Sequence, residues 1–123
     1  MKTIPIKTTR DKFYRQVLEV LGNVPPISKL RPKEKDVLAE LMYQFDNYRS
    51  YPEQHRRTII YSNDNRKVMR DKIGIGADSF NNNISILRKH KILIKNDELH
   101  PFFTDILFDG EFKIGFLFKE WYG

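Results

Sequence analysis

Two glycines around a single isoleucine, Gly74-Ile75-Gly76, stand between two segments of helical periodicity. No other feature of the chain narrows its fold as much. The turn is tight, and Ile75 points back into a core. The helix that follows must bury one side and offer the other. The segment before the turn, about Asp64 to Lys72, has Ser62 or Asn63 as a cap and Val68, Met69 and Ile73 as its buried side. The segment after it, about Asp78 to His90, carries Phe80, Ile84 and Leu87 at i, i+4 and i+7. Asp78, Asn81, Asn82, Ser85 and Lys89 fall on the opposite half, short and polar near the start and basic toward the end.

The remaining chain divides into short elements. Asp11 to Leu21 reads as a helix with Phe13, Val17, Leu18 and Leu21 on one face, and Val24 to Ser28 as an extended connector. Pro32 sits where a helix accepts proline, at its first position. Lys33 to about Tyr48 then has an apolar stripe of Val37, Leu38, Leu41, Met42, Phe45 and Tyr48. Residues 49–57 read as a loop. Thr58-Ile59-Ile60-Tyr61 and Ile92-Leu93-Ile94 read as strands, and Asn96-Asp97 as a turn leading to a short return strand, Glu98-Leu99-His100. Beyond Pro101 the chain is rich in aromatics, and Phe112, Ile114, Phe116 and Phe118 alternate as on one face of a strand.

Composition narrows the function. A chain of 123 residues fits one domain, or one domain with a tail. It has no cysteine, which excludes disulfides, thiolate metal sites and a cysteine nucleophile. Net charge is +6 and uneven: +3 over residues 1–48, +7 over 49–95 and −4 over 96–123. A basic middle suits a polyanionic partner. No apolar run approaches the roughly 20 residues of a membrane span, and no signal peptide opens the chain, so no membrane role and a cytoplasmic, intracellular location are expected. His55, His90 and His100 are scattered, so no metal site is expected. Gly74-Ile75-Gly76 is not a phosphate loop, since no Lys-Ser/Thr follows it. Nothing points to an enzyme or a cofactor.

The segment Ile73-Gly74-Ile75-Gly76-Ala77-Asp78-Ser79-Phe80-Asn81-Asn82 resembles the turn and recognition-helix start of winged helix-turn-helix proteins, commonly Leu-Gly-Ile-Ser-x-x-Thr-Val-Ser-Arg. Leu87 matches the later core leucine, and Ile92-Leu93 the apolar pair that opens the wing. MarR-like regulators and small phage or plasmid replication and regulatory proteins are the nearest in style. Gly76 stands where the family has a Ser or Thr cap, and Lys91 where a glycine ends the helix. The resemblance spans roughly residues 32–101.

It implies a mainly helical α+β fold, a winged helix-turn-helix with an N-terminal extra helix and a C-terminal aromatic β extension. The expected layout is a basic arm and short helix over 1–29, the winged domain over 30–101 with its wing at Ile94 to His100, and the extension over 102–123. The implied function is double-stranded DNA binding in transcription or replication control, on the nucleoid or in a phage-infected cell. The helix at about 78–90 would enter the major groove. Asp78, Asn81, Asn82 and Ser85 are then candidates for base contacts. Arg57, Ser79, Arg88, Lys89, Lys91 and Lys95 are candidates for phosphate contacts. The simpler alternative for each is a solvated surface residue, and Asn83 lies nearer the core edge. Phe112, Ile114, Phe116, Phe118 and Trp121 are candidates for a homodimer or protein-partner interface. The rival function is a winged-helix protein–protein adaptor that uses this aromatic segment.

Overall fold

Proline at the first helical position and apolar residues at helical spacing produce the longest element, α2 (Pro32–Asn47). Glu34 strengthens its start, accepting the Arg31 backbone N–H at 2.9 Å. The computed structural model describes residues 10–104. Around α2 stand α1 (Arg10–Val20), α3 (Glu53–Ile60), α4 (Asn63–Ile73) and α5 (Ala77–Lys89), with 3-10 turns at Ile27–Lys29 and Lys95–Asp97. All four shorter α-helices touch α2, and α1 and α5 do so most extensively.

The reason is the buried content of α2. Val37, Leu38, Leu41 and Met42 are wholly buried, and Phe45 nearly so. Tyr14, Val17, Leu18 and Leu21 of α1 close one side; Phe80, Ile84 and Leu87 of α5 close another. Met69, Ile60, Ile92, Leu93, Leu99 and Phe103 belong to the same cluster, with Ile27 and Leu30. The N-terminal helix and the chain just past Pro101 therefore share one core with the segment between them. Burial of large apolar side chains at about 1.5–3 kcal/mol each is the main force holding this arrangement.

A polar clamp fixes α4 on α2. Glu40 is buried, and its carboxylate accepts from Gln44 Nε2 at 2.8 Å and pairs with Lys72 Nζ at 2.9 Å. Gln44 in turn accepts from Asn65 Nδ2 at 3.2 Å. Lys72 Nζ also lies 4.4 Å from the centre of the Tyr43 ring. Each buried polar atom has a partner, so the clamp sets the register of the two helices without leaving an unsatisfied group.

The structure overturns the β elements of the expected fold. Among the described residues there is no strand or sheet, so a winged helix with a β wing and a β extension does not stand. Thr58 to Tyr61 is the end of α3 and its cap. Pro52 leads into that helix, Glu53 pairs with Arg57 one turn on, and Thr58 Oγ1 donates to the Gln54 carbonyl at 3.0 Å. Local helical bonding thus overrides the β preference of the run.

The segment Ile92 to His100 has one antiparallel bridge, Leu93 with Leu99, in place of a wing. Ile94 N–H donates to the Glu98 carbonyl at 2.8 Å and His100 N–H to the Ile92 carbonyl at 2.9 Å. The ladder cannot lengthen. At its open end Ile92 and Leu93 both donate to the Leu87 carbonyl, closing off α5. On the facing segment at that same open end, Pro101 has no N–H to offer and starts a helical turn over 101–104. That turn covers the first residues of the expected aromatic β extension, 102–123. Phe112, Ile114, Phe116, Phe118 and Trp121 lie outside the described residues. Val68, expected in the core, is half exposed, because the inward line of α4 runs through Asn65, Met69 and Ile73.

Candidate nucleic-acid interface

The turn between α4 and α5 is three residues long, and backbone conformation explains each of them. Gly74 ends α4 in the left-handed region at φ 83°, where glycine has no side-chain penalty. Ile75 N–H then donates to the Arg70 carbonyl at 3.1 Å, and its side chain packs against the core. Gly76 caps α5 in extended conformation, and its carbonyl accepts the Phe80 N–H at 3.0 Å. Burial of Phe80, Ile84 and Leu87 fixes the rotation of α5.

That rotation turns Asp78, Ser79, Asn81, Asn82, Ser85, Arg88 and Lys89 to the exposed side. The three consecutive asparagines have three different settings. Asn83 faces inward, and its Nδ2 donates back to the Ser79 carbonyl at 2.8 Å. Asn81 Oδ1 lies 3.5 Å from Nη1 of Arg66 on α4. Asn82 is exposed, and its amide has no protein partner among the described residues. Ser85 and Asp78 are likewise exposed and uncommitted. Asp78 sits in the first turn of α5, where a carboxylate is favoured by the helix dipole.

The C-terminal end of α5 is held differently. Arg88 and Asp97 form a two-pronged pair, Nε to Oδ1 at 2.6 Å and Nη2 to Oδ2 at 2.7 Å. The hydrogen bonds to Asp97 raise the Arg88 pKa further. Tyr61 Oη donates to the Asp97 carbonyl at 2.8 Å, and Arg56 Nη2 meets the buried Glu98 carboxylate at 2.8 Å. Burial holds the Tyr61 phenol well above its ordinary pKa, and Asp97 and Glu98 push the same way. Two helices, α3 with its cap and α5, thereby grip the segment 94–100. Its turn residues Asn96 and Asp97 both have positive φ, 62° and 59°, the backbone of a type I′ turn.

Among the phosphate-contact candidates, Lys89, Lys91 and Lys95 are exposed and have no acidic partner among the described residues. Arg57 is half-buried and 3.5 Å from Glu53, a loose pair one turn apart. Ser79 is exposed, with its carbonyl given to Asn83. Arg88 is engaged by Asp97. The structure adds Arg66, which sequence reasoning missed. Its Nε donates to the Tyr61 carbonyl at 2.9 Å, and its guanidinium lies 5.6 Å from the centre of the Tyr61 ring. The signal available was its place in the opening turn of the helix that leads into the glycine turn.

Among the described residues, no group of three or more His, Asp or Glu side chains could hold a metal, and no helix is long and apolar enough to cross a membrane. Comparison of the chain with family models, with curated proteins and with solved structures finds no match.

Proposed function

We propose that the domain binds double-stranded DNA, in transcription or replication control, with the exposed half of α5 in the major groove. The observation that carries the reading is the outward row of uncommitted short polar side chains, Asn82 and Ser85 with Asn81 beside them, on a helix whose other side is locked by Phe80, Ile84 and Leu87. An asparagine amide can donate and accept at once, which matches the N6 and N7 edge of adenine. The cations Lys89, Lys91 and Lys95 stand beyond the end of this row, where the sugar-phosphate backbone would pass. The +7 charge of residues 49–95 supplies the long-range attraction.

The test is Asn82→Ala, measured on a selected duplex and on mixed-sequence duplex. The expected result is a loss of about 1–3 kcal/mol on the selected site and flattened discrimination. Thermal stability should hardly move, since the side chain is exposed. Equal losses on all sequences would assign Asn82 to the backbone. Full discrimination in the variant would remove it from the interface.

A further inference from the structure

We infer that the cleft between α3, α4 and the 95–97 turn takes one backbone phosphate of the bound duplex, gripped by Arg57 and Arg66. The inference rests on the duplex-binding reading and adds to it a site that the row on α5 does not contain.

The cleft is about 260 Å³ and is lined by Arg57, Thr58, Tyr61, Arg66, Asn96 and Asp97. Its polar groups are nearly all spoken for, except the two guanidinium groups. Thr58 Oγ1 donates to the Gln54 carbonyl, and the Tyr61 hydroxyl to the Asp97 carbonyl. Among the described residues, Asp97 is the one carboxylate in the wall, and both of its oxygens are held by Arg88. It therefore offers little repulsion to an incoming anion. Arg66 is fixed in advance, since its Nε bonds the Tyr61 carbonyl and its plane lies near the Tyr61 ring. Its terminal nitrogens have only a 3.5 Å approach to Asn81. Arg57 is held by Glu53 at 3.5 Å, and that glutamate is largely exposed. Solvent screens such a pair, so a phosphate can displace it. Guanidinium forks bind phosphate oxygens through paired N–H donors.

Position favours the same ligand. Asn81, Ser85 and Arg88 recur at i, i+4 and i+7, so they form one line along α5. The cleft touches both ends of that line, through Arg66 at Asn81 and through Asp97 at Arg88. A helix in a major groove is flanked by phosphates, and a basic cleft beside its groove-facing line is where one would fall.

The experiment measures binding of the full chain to mixed-sequence duplex over a salt series, for the wild type, Arg57→Gln, Arg66→Gln and the double variant. The expected result is about a tenfold loss for each single change on every sequence. The double variant should show a log–log salt slope shallower by about 0.9, the signature of one lost phosphate contact. A double variant with the wild-type slope and affinity would overturn the cleft while leaving duplex binding by α5 in place. A wild type without salt-dependent duplex binding would bring down both. Arg66 also braces Tyr61, so thermal melting accompanies each variant. If Arg66→Gln fails to fold, Arg57→Gln decides alone, and wild-type affinity in it would overturn the cleft.

Discussion

The helices on either side of the glycine turn end with the same hydrogen bond and different residues. At the end of α4, Gly74 is left-handed and Ile75 N–H reaches back to the Arg70 carbonyl at 3.1 Å. At the end of α5, Lys91 is left-handed, at φ 60°, and Ile92 N–H reaches back to the Leu87 carbonyl at 3.0 Å. Both are six-to-one closures followed by an apolar residue that packs inward. The first uses the residue that adopts this conformation freely. The second holds a β-carbon where it costs roughly 1–2 kcal/mol. Packing allows that cost at α5, because Ile92 and Leu87 are both wholly buried. At α4 the corresponding pair is Arg70 and a partly buried Ile75. A strained end is thus tolerated where the hydrophobic contact behind it is strong, and it leaves a cation beside the proposed phosphate path.

The largest expected effect tests that support directly. Leu87→Ala removes the buried side chain under the α5 closure and should cost about 2–5 kcal/mol. Arg70→Ala makes the matching change at α4 and should cost about 0.5 kcal/mol, as for a typical partly exposed site. Denaturant titration of both variants measures the contrast. Similar losses would mean that the apolar contact does not distinguish the two ends.

Next come the left-handed residues themselves. Gly74→Ala should destabilise by about 1–2 kcal/mol from backbone strain alone, because a β-carbon there would meet no atom within 4 Å. Lys91→Gly should do the opposite, stabilising by about 0.5–1 kcal/mol, since relief of strain exceeds the added freedom of the unfolded chain. The same variant should bind duplex more weakly and with a shallower salt slope, having lost a cation. Melting temperature and a salt series separate these effects. If Lys91→Gly is no more stable than the wild type, the α5 end is not strained and the contrast disappears.

How much of this was legible in the sequence depended on whether apolar residues alone marked the inner face. In α5 they did: Phe80, Ile84 and Leu87 fix the helix rotation, so the outward setting of Asn81 and Asn82 and the inward lean of Asn83 follow. In α3 they did not. Arg56 lies inward over the Phe45 ring, at 5.7 Å, and only Ile60 is fully buried, so the helical period is hidden. The run Thr58 to Tyr61 then looks like a strand, although Pro52 and the Glu53–Arg57 spacing carried the helix signal. The return at Asn96-Asp97 was visible as a turn. Its failure to grow into a wing was not, because the missing ladder bonds go to the Leu87 carbonyl, a tertiary outcome of how α5 ends. Arg66 and the clamp of Glu40, Gln44, Asn65 and Lys72 were hidden for a related reason. Polar residues that bond across helices have no period of their own.

The smallest expected effect concerns the other end of the same turn. Gly76 caps α5 with an extended backbone, φ −83° and ψ 175°, which any residue adopts. It supplies no side-chain acceptor to the first turn of the helix, where orphan N–H groups remain. A β-carbon built there meets nothing within 4 Å. Gly76→Ser should therefore stabilise the domain by a few tenths of a kcal/mol up to about 1, partly through the cap bond and partly by restricting the unfolded chain. Gly74→Ala, two residues earlier, should show the reverse sign. Neither site is crowded, so the opposite signs come from the φ of Gly74 and the cap bond gained at Gly76, not from space. Thermal melts of Gly76→Ser and Gly74→Ala settle it. Destabilisation by Gly76→Ser as well would mean that position 76 needs glycine for a reason other than φ.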